Sequence, residues 1–131
     1  MTIDELLKTS KTIAVVGLSP KTDRPSNGVT RYMQRQGYKI IPVNPGFAEI
    51  LGEKSYKTLA DVPEPVDIVN IFREPSAVPE IVEQAIQIGA KSIWMQQGIT
   101  HEQAAQRAEE AGLFVVQDSC IFQEHARLPL K

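Results

Sequence analysis

Five short apolar runs recur along the chain, and the stretches between them shift from continuous hydrophobicity to helical spacing. The first run, 13–16, belongs to a strand predicted at 12–16 that stops at Gly17. Further strands are predicted at 38–43 (YKIIPV), 66–72 (VDIVNIF), 92–95 and 113–116. β-Branched residues in runs without strict alternation suit strands buried on both faces. Pro42 has no N–H and demands an unpaired position, at a strand end or a bulge.

The helices are read from spacing and caps. Thr2 and Glu5 form a T-x-x-E capping box ahead of Leu6 and Leu7, which predicts a short opening helix. Val29, Tyr32, Met33 and Gln36 predict a helix from 26 or 27 to 36, with Gly37 as its stop. Val78, Ile81, Val82, Ala85, Ile86 and Gly89 form one apolar stripe, and Pro79 is tolerated because it lies in the first turn. A second capping box at 100–103 opens a helix with a small-residue face of Ala104, Ala105, Ala108 and Ala111, ended by Gly112. A short helix is expected near 48–51, a turn at 58–60 and a last short helix within 118–127.

Strands alternating with helices predict an α/β protein: a Rossmann-like three-layer fold, with helices on both faces of a five-stranded parallel sheet joined by right-handed crossovers. The expected strand order is 3-2-1-4-5. Ligands of such sheets bind beyond the carboxyl ends of the strands, where the order reverses, here between the first and fourth strands. Four loops reach that edge, at 17–21, 44–46, 73–75 and 96–99.

The loop after the first strand carries Gly17, Ser19, Lys21, Thr22, Arg24 and Ser26. A strand running through glycine into a helix lets the backbone approach an anion and aims helix N–H groups at it. At about ten residues, this loop exceeds the usual 2–6. Neither the dinucleotide fingerprint nor the P-loop is present, because Gly17 lacks the later glycines and Lys21 is not in a G-K-[ST] ending. Asn44 stands at the end of the second strand, where NAD-binding domains carry an acid, so the pattern points away from NAD. Lys21, Arg24 and Arg73 bring positive charge to the same edge.

Composition narrows the classes. At 131 residues the chain is read as one domain, 1–131, and a formal net charge of −2 offers nucleic acid no global attraction. The apolar runs are too short to span a bilayer, and residues 1–5 lack the basic start of a signal peptide, so a cytoplasmic protein is expected. A single cysteine, Cys120, excludes an internal disulfide and a multi-cysteine zinc site. His101 and His125 show no ligand or triad spacing, so neither metal nor catalytic residues are assigned; Cys120 is the one residue to test as a covalent centre.

Taken together, TIAVVGLSPKTDRPS, GYKIIPVNPG, VDIVNIFREPSAVPEIVEQAI, GAKSIWMQQGI and AGLFVVQDSC resemble, in order and spacing, the stand-alone CoA-binding domain proteins. These are similar to the N-terminal CoA-binding domain of the succinyl-CoA synthetase α subunit. The resemblance runs from about 12 to 127 and implies CoA or acyl-CoA lying across the carboxyl edge. By matching position, Gly17, Leu18, Ser19 and Pro20 meet the phosphates through backbone groups, and Asn44, Pro45 and Gly46 border the adenosine. Phe72, Arg73 and Pro75 line the centre, with Gln97 and Gly98 near the pantetheine arm. Lys21 and Arg24 are placed near the 3′-phosphate on electrostatic grounds alone. The chain departs from the synthetase in lacking the phosphohistidine domain and in carrying Phe47 where synthetase-type sequences have a lysine.

Three functions compete at this stage. The first is a non-catalytic CoA-binding module. The second is an acyl-CoA-dependent transferase or ligase component. The third is a nucleotide-sensing regulator docking on a partner enzyme. Ile121, Phe122, Leu128 and Leu130 are available as an apolar contact for such a partner, as a homodimer seam or as core.

Overall fold

Thr2 accepts the Glu5 N–H while the Glu5 carboxylate accepts the Thr2 N–H, the reciprocal cap expected from the sequence, and α1 (Ile3–Thr9) follows. The computed structural model describes residues 1–129. The order continues β1 (Thr12–Val16), α2 (Pro25–Arg35), β2 (Lys39–Val43), β3 (Glu49–Ile50), β4 (Glu53–Lys54), β5 (Ile68–Ile71), α3 (Val78–Gln87), β6 (Ser92–Met95), α4 (Glu102–Glu110), β7 (Phe114–Val116) and α5 (Ile121–Ala126). Leu130, one of the candidate contact residues, lies outside the described residues. Among the described residues no helix is long and apolar enough to cross a membrane.

The five long strands form one parallel sheet with helices on both faces, in the order β2-β1-β5-β6-β7. The layers follow the two-residue period of a strand. Ala14, Val16, Val69, Ile71, Ile93 and Met95 face α3 and α4, whose Val78, Val82, Ala85, Ala105 and Ala108 close that core. Ile13, Val15, Ile40, Ile68 and Trp94 face the other way, toward Leu6, Leu7, Met33 and Ile121 of α1, α2 and α5.

The strand order corrects the expectation. Counted among the five long strands it is 2-1-3-4-5, not 3-2-1-4-5, because β5 pairs with β1 on one side and β6 on the other. Two residue-level causes agree with this. Ile68, Val69, Asn70 and Ile71 are at most 1% exposed, which suits a central strand. Pro42, with no N–H for a second ladder, fits β2 as the edge strand. The segment 44–67 therefore carries the chain back across β1, and the order reverses between β1 and β5.

Two local expectations also change. The helix expected near 48–51 is a small antiparallel hairpin, β3–β4, turned by Leu51 (φ 55°) and Gly52 (φ 77°). Positive φ at both central residues is the two-residue hairpin geometry and ends any helix there. The cap of α4 is His101, whose Nδ1 accepts the Ala104 N–H at 3.1 Å, rather than Thr100.

At the amino edge, the Asp67 carboxylate accepts the N–H groups of Lys11 (2.7 Å) and Thr12 (3.1 Å) and pairs with Lys91 at 3.4 Å. Burial alone would push this carboxyl up, but the two backbone donors and the ammonium together hold it below the usual carboxylate range. A depressed folded pKa stabilises the protein above the unfolded value, near 3.9, and that contribution disappears as pH falls through the lower folded value. Asp67→Asn is therefore expected to lose stability at neutral pH and to flatten the acid limb of the unfolding curve below about pH 4. Urea midpoints measured from pH 2 to 7 would show this, and parallel curves for the two proteins would contradict it.

Candidate functional site

Gly17 ends β1 with φ 91°, and a Cβ placed there would lie 2.6 Å from the Phe72 carbonyl oxygen and 3.1 Å from Arg73 Cδ. Glycine is required because the ends of β1 and β5 touch at the point where the strand order reverses. From here the chain folds into a braced loop. The Ser19 N–H donates to Ser26 Oγ (3.0 Å), the Lys21 N–H to Ser19 Oγ (3.1 Å), and Asn27 Nδ2 to the Ser19 carbonyl (2.9 Å).

This bracing changes what the loop can offer an anion. The N–H of Gly17 is spent on the Val43 carbonyl (3.0 Å), those of Ser19 and Lys21 on the two hydroxyls, and Pro20 has none. Each hydroxyl accepts from a backbone N–H, which leaves its own proton free to donate. Ser19 and Ser26 thus supply fixed O–H donors beside the N-terminus of α2, which no side chain caps. Ser26 stands in the loop singled out from the sequence, but the inward turn that buries Ser26 and Asn27, at 7% and 1% exposed, was not expected. Their signal was two polar residues in the first turn of a helix that packs on a sheet.

Two clefts open at this carboxyl edge. The larger, about 420 Å³, is walled mostly by apolar groups of Pro25, Val29, Phe72 and Ile99, with Gln96, Gln97 and Cys120 completing it. The smaller, about 190 Å³, lies beside the end of β2 and includes Val43, Pro45, Lys57 and Glu80. Arg73 lines both. Its guanidinium pairs with Glu74 at 3.0 Å and holds that carboxyl below its usual range.

The candidate residues separate on this geometry. Phe72, Arg73 and Gln97 line the larger cleft, and Pro45 with Arg73 the smaller. Leu18 is fully buried; its carbonyl accepts from Asn44 Nδ2 at 2.9 Å. The Asn44 Oδ1 takes the Gly46 N–H at 2.9 Å, so both ends of this amide brace loops. Pro75 starts a single 3₁₀ turn ahead of α3, and the Gly98 N–H donates to Asp118 Oδ1 at 2.6 Å. Lys21 and Arg24 are exposed on the loop and line neither cleft.

The two histidines are engaged elsewhere. His101 caps α4, and His125 Nδ1 lies 2.9 Å from the Tyr32 hydroxyl. In the carboxyl-terminal segment, Ile121 is core, Leu128 packs against it, and the partly exposed Phe122 meets Tyr32 edge-on with centroids 4.4 Å apart. A third cleft, about 780 Å³, lies at the opposite edge around Ser10, Asp67, Lys91 and Phe114.

A parallel sheet with helices on both faces and paired clefts at its switch point defines a Rossmann-like α/β protein. The chain belongs to the CoA binding domain family, whose model matches residues 11–126. It is 45% identical over 124 residues to the uncharacterised protein YneT of Bacillus subtilis, covering 95% of this chain and 92% of that protein. A hypothetical protein from Pyrococcus horikoshii OT3 superposes with a TM-score of 0.93 at 43% identity, covering 96% of this chain and 89% of that one. The chain is also 34% identical over 83 residues to the ADP-forming acetate–CoA ligase II of Archaeoglobus fulgidus. That match covers 62% of this chain and 12% of the ligase. The protein is thus a CoA-binding domain related to ADP-forming acetate–CoA ligases.

Proposed function

We propose that this chain is a single domain that holds coenzyme A, free or acylated, across the carboxyl edge of its sheet without transforming it. The observation that carries this is the pair of clefts that share Arg73: one mostly apolar, the other more polar and beside the end of β2. CoA has the same division, an uncharged pantetheine arm and an anionic nucleotide. The residues fit the group: the hydroxyls of Ser19 and Ser26 are placed to donate to phosphate oxygens beside the start of α2, which no side chain caps. In this reading the pantetheine arm runs along Val29, Phe72 and Ile99, the pyrophosphate meets the hydroxyls of Ser19 and Ser26 at the start of α2, and the adenosine lies beside Pro45.

CoA carries several negative charges, so its affinity falls as salt rises. Arg24, exposed at the start of α2, contributes through the field rather than a fixed contact. Arg24→Ala is expected to weaken CoA binding about threefold at low salt, the scale of an exposed ion pair, with the difference fading in high salt. Calorimetric titration at two salt concentrations measures both effects. Unchanged affinity at low salt removes Arg24 from the site.

A second reading, acyl transfer through Cys120, draws on the place of that residue in the wall of the larger cleft. It requires Cys120→Ser to abolish CoA-linked turnover while sparing CoA binding. Turnover that survives the substitution eliminates it.

A further inference from the structure

We propose that Lys57 makes this protein selective for coenzyme A over its 3′-dephospho form, by pairing with the phosphate on the ribose at the carboxyl end of β2. This rests on the CoA-binding reading above.

The irregular stretch after the β3–β4 hairpin is fixed in position on both sides. Residues 55–57 add a rung to the free edge of β2. The Tyr56 N–H donates to the Pro42 carbonyl at 3.1 Å, the Asn44 N–H donates to the Tyr56 carbonyl at 2.9 Å, and Val43 and Tyr56 form a parallel bridge. The Ser55 hydroxyl adds a bond to the Asn44 carbonyl at 3.1 Å. On the other side, Thr58 starts a 3₁₀ turn, with its N–H and hydroxyl both donating to the Asp61 carboxylate. Lys57 is held between these two anchors, and it lines the smaller cleft together with Arg73 and Pro45.

Its charge is also available. Lys39 and Lys91 are committed to Glu64 and Asp67, and Lys54 lies over the Tyr56 ring, whereas Lys57 makes no ion pair among the described residues. Glu80, on the first turn of α3, is the acidic residue that lines the same cleft.

In doubly wound folds the ribose hydroxyls of a bound nucleotide lie at the end of the second strand, where a carboxylate accepts them. Here that position holds the neutral Asn44, whose amide is spent on Leu18 and Gly46. No acid stands at that strand end to receive a free hydroxyl; the acid of this cleft is Glu80, on α3. The charged side chain on the adjoining rung is that of Lys57. A ribose that carries a phosphate fits this arrangement better than one that carries hydroxyls alone.

The test is a set of dissociation constants for CoA and 3′-dephospho-CoA, by calorimetry, on the unmodified protein and on Lys57→Ala, Lys57→Arg and Glu80→Gln. Lys57 is exposed, so these proteins are expected to fold alike. The unmodified protein should prefer CoA about tenfold, the scale of one charge-assisted hydrogen bond. Lys57→Ala should erase that preference by weakening CoA while leaving 3′-dephospho-CoA unchanged. Lys57→Arg should keep most of it, and Glu80→Gln should tighten CoA by removing the opposing charge. A Lys57→Ala protein that loses both ligands equally, or neither, overturns the assignment. Equal affinity of the unmodified protein for the two ligands also overturns it, while leaving the CoA-binding reading intact. Failure of the unmodified protein to bind either ligand overturns the reading itself.

Discussion

Gly17→Ala is expected to destabilise the protein by about 3 kcal/mol and to remove most of its affinity for CoA. Two costs add at this position. With φ at 91° the backbone lies in the region that side chains avoid. The new Cβ would also sit 2.6 Å from the Phe72 carbonyl oxygen, a backbone atom tied in place because the Phe72 N–H donates to the Val16 carbonyl at 2.9 Å. Relief requires β1 and β5 to part where the loop leaves the sheet, and this shifts Ser19 and Arg73 together. Gly112 provides the control. It has the same φ of 91° but nothing within 4 Å of its added Cβ, so Gly112→Ala pays only the conformational cost, about 1 kcal/mol. Urea unfolding of the two variants separates strain from contact. Equal losses at both glycines would contradict the close approach of the two strands.

Trp94→Ala is expected to cost about 4 kcal/mol, as for other large-to-small changes of buried aromatics. Trp94 is fully buried in β6, beside Asn70 of β5 and Val116 of β7. Its Nε1–H donates to the Ser119 carbonyl at 2.8 Å and so ties the loop that carries Cys120 to the sheet. The substitution empties core volume and releases that loop from the larger cleft. Trp94→Phe keeps much of the volume but leaves the Ser119 carbonyl without its donor, for a cost of about 1–2 kcal/mol. Denaturation midpoints for the pair test this ordering, and comparable losses would mean that the hydrogen bond outweighs the packing.

The parts of this fold that could be read from sequence are those governed by local pattern. The five long strands are buried on one or both faces and therefore appear as apolar runs. The helices show their spacing, their caps and the glycines that stop them. The strand order was less accessible, because pairing is decided by how the segment 44–67 crosses β1, and that segment has no strong periodicity. The informative residues were there nonetheless: Pro42 suits an edge strand, and a run as apolar as Ile68–Ile71 suits a central one. The β3–β4 hairpin escaped because only one of its two positive-φ residues is glycine; the other is Leu51, whose type gives no warning.

The candidate site divides in the same way. Gly17 and the serine-bearing loop were legible as a strand-to-helix turn of unusual length. The bracing within that loop was not, since it depends on Ser26 and Asn27 turning inward from a helix whose solvent face is all that a sequence displays. Arg73 could be placed at the edge because it directly follows a strand. Lys57 could not, because its position depends on Tyr56 pairing outside the main sheet.

The central claim is that the paired clefts are built for coenzyme A. Its most direct test is calorimetric titration of the unmodified protein with CoA, NAD and ADP side by side. The account predicts saturable binding of CoA at a one-to-one ratio, displacement of the other two by CoA, and affinity that falls as salt is raised. Absence of CoA binding, or equal binding of CoA and NAD, would contradict it.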